Sequence, residues 1–156
     1  MKTLTIWQPW ASLIIAGIKN FETRGWSTKY RGPLLIHAAS QSTGKQIEFC
    51  MSMKLYYPEI GVIGHYNNLP LGAIIGVVDL HTVYPADEFD SVMMKRYKDW
   101  RNIGPLVNRE KELGDYSEGR YFFDLRNPKK LEKPYPVKGT QKFWEFDESL
   151  ITNFPL

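Results

Sequence analysis

The chain has 156 residues, 43% of them hydrophobic and 24% charged, a globular balance that fits one core and excludes a disordered protein. Twenty basic residues (20) against 17 acidic ones leave a net charge of +3, compatible with nucleic acid but short of the concentrated basic face of a dedicated duplex binder. No apolar run approaches the roughly 20 residues that cross a bilayer, and the N-terminal apolar stretch is too short for a secretory signal. Cys50 is the single cysteine, which excludes an internal disulfide, and no His/Cys spacing suggests zinc. A cytoplasmic protein with no metal and no cofactor is the expectation.

Thr3 to Ile6 is β-prone and stops at Gln8-Pro9. From Pro9 to Gly17 the chain reads as a two-turn helix, since proline is tolerated at a helix start and Gly17 suits the left-handed residue that ends one. Trp10, Leu13 and Ile14 share one face, directed at the core. Phe21 to Trp26 reads as a strand, and Leu34 to Ala39 as a buried one. Thr43 to Leu55 is expected to be helical, capped by Ser42 or Thr43, and the Gly-, Asn- and Pro-rich stretch Tyr57 to Pro70 to be loop. Leu71 to Leu80 is the clearest central strand. Tyr84 to Glu118 turns polar and charged, a mixture of short helix and excursion. Tyr121 to Leu125 returns to strand, Pro128 to Pro136 with its three prolines reads as a connection, and Phe143 to Phe146 is the last strand. Several non-alternating strands with few helices point to an α+β fold, a mixed β-barrel with a few short flanking helices, forming a single domain over 1–156.

The densest functional candidate is Gly17-Ile18-Lys19-Asn20-Phe21-Glu22-Thr23-Arg24. On a strand Glu22 and Arg24 point to the same side, with Lys19 at the bend before it. A carboxylate flanked by two cations can bind a phosphate or carboxylate or orient a water; a surface ion-pair trio is the bland alternative. His37 ends an apolar strand before the small residues Ala38-Ala39-Ser40, as at a pocket wall, although a satisfied structural histidine has the same setting. Trp7, Trp10 and Trp26 surround the cluster and offer faces for stacking a base, against core packing as the simpler role. Asp79 follows the most hydrophobic strand and needs a partner, for which Arg24 is a candidate. Lys129, Lys130, Lys133, Lys138 and Lys142 make a loose basic patch, a solvated face or a track for phosphates. Cys50, inside a helix with no nearby histidine, is structural.

The run Ile6-Trp7-Gln8-Pro9-Trp10-Ala11-Ser12-Leu13 leading into GIKNFETR resembles the ASCH domain, the activating-signal-cointegrator homology region. The family signature Gly-x-Lys-x-x-Glu-x-Arg is matched by Gly17, Lys19, Glu22 and Arg24. Arg31 to Ala38, Ile75 to Leu80 and Pro136 to Trp144 are similar to later blocks, so the resemblance runs from Leu4 to about Asp147, excepting the polar middle. It implies a PUA-like barrel with a cleft lined by the signature, and a link to nucleic-acid binding, RNA cleavage or transcriptional coactivation. Some short bacterial members are amidohydrolases on acetylated cytidine, with the lysine as base and a threonine as nucleophile. Lys19 matches that lysine, but Glu22 stands in the threonine's place, and a carboxylate does not simply replace a hydroxyl nucleophile. Three functions follow as expectations. The first is an RNA- or nucleoside-binding module, with Lys19 and Arg24 contacting phosphate or carbonyl oxygens and Trp7, Trp10, Arg24, Trp26, His37 and Asp79 around the ligand. The second is a hydrolase, an amidohydrolase or ribonuclease, with Lys19 and Glu22 as the acid/base pair. The third is a protein-interaction adaptor.

Overall fold

The computed structural model describes residues 1–97 and 103–155. Its centre is a single six-stranded sheet in the order β2-β5-β4-β3-β1-β6, flanked by short helices. The strands are β1 (Lys2–Ile6), β2 (Phe21–Arg24), β3 (Gly32–Ala38), β4 (Ala73–Pro85), β5 (Tyr121–Pro136) and β6 (Phe143–Glu145); the helices are α1 (Trp10–Ile15), α2 (Gly44–Tyr56), α3 (Phe89–Arg96) and α4 (Gly104–Glu112). β1 and β3 run parallel, as a crossover through α1 permits, and the other pairings are antiparallel.

The sheet curls into a half-barrel. Its two edges are not hydrogen-bonded to each other, yet Trp26, just past β2, packs edge-on to Phe143 of β6 with ring centroids 5.1 Å apart. Arg24 of β2 also reaches across to the Thr5 carbonyl of β1, at 2.8 Å. Inside the curl lie Leu4, Ile6, Leu34, Ile36, Val78, Leu80 and Phe123, with Ile14 and Ile15 of α1 resting on them. Burial of apolar side chains of this size contributes roughly 1.5–3 kcal/mol apiece, which is why these apolar runs become the inner strands. Gly76 lets α1 come close: a Cβ there would stand 2.6 Å from both Ile15 Cδ1 and the Lys129 carbonyl.

β1, α1, β3 and α2 fall where the sequence reading puts them. Thr43 is the residue before α2, its backbone N–H donating to Gln46 Oε1 at 2.8 Å. Cys50 is buried within α2. The Tyr57–Pro70 stretch, read as loop, holds two 3-10 turns at Pro58–Ile63 and Tyr66–Asn68. The polar middle contains α3 and α4; its residues 98–102 lie outside the described residues.

β5 corrects the reading of Pro128 to Pro136 as a connection, because the strand continues through all three prolines. Proline cannot donate to a ladder and is tolerated where pairing is already broken. β2 pairs only with the first four residues of β5, Tyr121 to Asp124. On the other side, the β4–β5 register shifts between Ile74 and Gly76 and between Val77 and Asp79, the places opposite Pro134 and Pro128. β4 likewise runs to Pro85, beyond the expected end at Leu80.

Candidate functional site

The site is built by the turn after α1. Gly17, at φ +74°, reverses the chain, and the N–H groups of Ile18 and Lys19 both return to the Leu13 carbonyl, at 2.9 and 3.1 Å. That geometry sends the Lys19 side chain inward, where it is 1% exposed. Its Nζ donates to the Phe21 carbonyl and lies 3.7 Å from Glu22 Oε2. Glu22 Oε1 meets Arg24 Nε at 3.1 Å, an ion-pair contact angled away from a hydrogen bond. Lys19, Glu22 and Arg24 thus form one chain of charge, in the order the spacing suggests.

Glu22 and Arg24 open onto a cavity of about 550 Å³, together with Trp7, Trp10 and Trp26. Lys19 is not on its wall and sits behind Glu22. A second cavity of about 530 Å³ shares Trp7, Arg24 and Trp26 and extends to His37 and to the 139–142 loop. Volumes of this size suit a small organic ligand. The three tryptophans are not equivalent. Trp10 stacks on Phe49 at 5.4 Å, and Trp26 meets both Phe123 and Phe143 edge-on. Trp7, 44% exposed, presents its ring to both cavities.

His37 is buried with both ring nitrogens engaged. A carbonyl only accepts, so Nε2–H donates to the Val137 oxygen at 2.9 Å. Nδ1 is then an acceptor for the Thr5 hydroxyl at 3.2 Å, and Thr5 Oγ1 in turn accepts the Trp144 indole N–H at 3.1 Å. Burial pushes the His37 pKa below its usual value, the Val137 hydrogen bond opposing. The imidazole is therefore a fixed strut in the wall of the second cavity. Asp79 lines neither cavity, and its partner is Asn127, whose Nδ2 donates at 2.8 Å. Arg24 is engaged by Glu22 and the Thr5 carbonyl instead, which corrects the Asp79–Arg24 pairing.

The opposite wall of the first cavity comes from the end of α4 and the turn behind it, residues that no local pattern singled out. Glu112, Leu113, Gly114 and Asp115 face β2 there. Arg120 clamps this turn, donating to the Asp115 carbonyl at 3.0 Å and approaching its carboxylate at 3.3 Å, while the Asp115 N–H donates to Thr23 Oγ1 at 3.0 Å. Glu110, fully buried on α4, accepts from the backbone N–H and side-chain amide of Asn20, at 2.7 and 2.9 Å. Its other oxygen, Oε2, has no partner among the described residues. Burial raises the Glu110 pKa, and the Lys19 charge and the Asn20 donors pull the other way. α4 is thereby tied to the turn that carries Lys19.

The basic side chains divide. Lys129 and Lys130 are exposed on β5, and Lys142 reaches the second cavity. No helix among the described residues is long and apolar enough to cross a membrane.

Comparison with known proteins agrees with the fold. The sequence profile described as "ASCH domain" matches residues 4–134. Activating signal cointegrator 1 of Homo sapiens is 30% identical over 148 residues, covering 94% of this chain and 22% of that protein. The Mus musculus protein of the same name matches with the same identity and coverage. The chain thus spans about a fifth of these curated relatives, 22% of their length. The crystal structure of ASCH from Zymomonas mobilis superposes with a TM-score of 0.52 at 13% identity, over 95% of this chain and 88% of that one, a likeness of fold.

Proposed function

The chain belongs to the ASCH domain family, and from that premise we propose that it binds RNA or a modified nucleoside in the cavity bordered by Glu22 and Arg24. The observation that carries the proposal is Trp7, a half-exposed ring with no aromatic partner among the described residues, set beside an ion-paired carboxylate and guanidinium. The ring stacks the base, Glu22 accepts hydrogen bonds from an exocyclic amine or ribose hydroxyl, and Arg24 donates to a carbonyl or phosphate oxygen. Lys19 acts from behind, holding Glu22 in place without touching the ligand. Trp10 and Trp26, already packed against neighbouring rings, shape the cavity.

A hydrolase would use the same cavity, with Glu22 as the acid/base group and Lys19 acting only through it. An adaptor role has a separate observation in its favour, the exposed Met51, Leu55 and Tyr56 of α2.

One experiment separates the three. Nucleosides, including acetylated cytidine, and short RNAs are titrated into wild type and Trp7→Ala, and the mixtures are then analysed by mass spectrometry. Saturable binding that weakens by about 1–3 kcal/mol in Trp7→Ala is expected, the worth of one base–aromatic stack. A product abolished by Glu22→Gln would make the protein a hydrolase. Absence of any saturable binding would defeat the proposal and leave the adaptor.

A further inference from the structure

The two cavities that meet along Trp7, Arg24 and Trp26 differ in charge. The first is lined by three acidic residues, Glu22, Glu112 and Asp115, and by the basic Arg24 and Arg120. Among the described residues the second has no acidic residue on its wall. Beyond the shared Arg24 its wall includes Lys142, the hydroxyl residues Ser40 and Thr140, and the amide residues Gln41 and Gln141. An anion in the first cavity has acidic residues among its neighbours, whereas both charged residues on the wall of the second, Arg24 and Lys142, are cations. The floor of the second cavity is also rigid. Trp144, Thr5, His37 and Val137 form an unbroken hydrogen-bond chain beneath it. Gly139 lies so close that a Cβ there would stand 2.4 Å from the His37 ring and 2.7 Å from Thr5 Oγ1. The 139–142 loop is therefore seated directly on that strut, with little latitude to retreat.

We infer that the second cavity is a phosphate subsite, so that the ligand is a phosphorylated nucleoside unit lying across both cavities. This rests on the reading of the first cavity as the base site. The base lies against Trp7 beside Glu22, the sugar passes Arg24, and the phosphate enters the second cavity toward Lys142 and the Ser40 and Thr140 hydroxyls. Arg24, on both walls, contacts the ligand where base side and phosphate side join. A free nucleoside fills only half of this surface. A terminal monophosphate and the linking phosphate of an RNA strand offer the same chemistry to these donors.

The test uses the full chain at low ionic strength. The four common nucleosides, their 3′- and 5′-monophosphates and the corresponding dinucleoside monophosphates are titrated calorimetrically into wild type and Lys142→Gly. Lys142 stands at φ +57°, a conformation glycine adopts freely, so the variant removes the ammonium without straining the loop. For the base that binds, a phosphorylated form is expected to bind about tenfold or more tightly than the nucleoside, an advantage that shrinks with added salt. Lys142→Gly should lose most of that advantage and keep the nucleoside affinity. A preference for the monophosphate points to a terminal phosphate, and one for the dinucleoside to a link within RNA. Equal affinity of nucleoside and phosphorylated forms, or an advantage that survives in Lys142→Gly, overturns the phosphate subsite alone. No binding of any member of the panel overturns the base site and the subsite together.

Discussion

Glu110 offers the sharpest check on how this site is held. Its side chain is fully buried and accepts both the backbone N–H and the amide of Asn20, the residue next to Lys19. Glu110→Ala removes both acceptors, leaves the Asn20 N–H without a partner, and opens a void. An unsatisfied buried donor costs about 1–3 kcal/mol, and truncating a side chain of this size in a packed interior adds a cavity cost, so a loss of about 3–5 kcal/mol is expected. In a chain of this length that lowers Tm by about 6–20 °C. Glu110→Gln keeps an acceptor oxygen facing Asn20 and, with one end already unpartnered, should stay within about 1 kcal/mol of wild type. The pH dependence gives a second reading from the same samples. The folded pKa of Glu110 is raised, so between the ordinary glutamate value and the folded value the native state holds more protons than the unfolded state. The stability from this group is complete below about pH 4.3 and is lost as pH rises through the folded pKa. Urea midpoints measured from pH 4 upward should show that loss in wild type and not in Glu110→Gln. If Glu110→Gln is as damaging as Glu110→Ala, the carboxylate is needed as an anion facing Lys19, and the reasoning from burial is refuted.

Other perturbations have equally definite outcomes. Glu22→Gln leaves the buried Lys19 ammonium without its carboxylate and should cost about 3–5 kcal/mol, read as a lower urea midpoint; an unchanged midpoint would mean that the pair contributes nothing to the fold. Gly139→Ala drives a methyl into the His37 ring and should cost about 1–3 kcal/mol; full retention of Tm would show that the loop yields freely. The His37 Cε1–H resonance should titrate with a midpoint below 6.5. Stability linked to His37 is then present above about pH 6.5 and lost as pH falls through the folded value, and a midpoint above 6.5 contradicts the strut assignment.

Local sequence determined a good deal of this protein. The apolar runs around Leu4, Leu34 and Ile75 are inner strands because a curled sheet with one covered face demands them. Pro9 and Gly17 bracket α1, and the Lys19-Glu22-Arg24 spacing carries the charge cluster. Each of these depends on neighbours within a few residues, where backbone sterics and side-chain period act. Tertiary structure alone decided the rest. Phe49 and Phe143 come from remote parts of the chain, and it is they that occupy Trp10 and Trp26 and leave Trp7 half exposed. The polar stretch around α4 showed no pattern that marks Glu110 or Arg120, because a buried carboxyl and a clamping guanidinium are defined by Asn20 and Thr23, some ninety residues away in sequence. Pro128 and Pro134 of β5 look like strand breakers until the missing partner beyond Asp124 and the shifted register with β4 make their absent N–H groups harmless. Burial and pairing across the sheet set these outcomes, and no window of neighbouring residues encodes either.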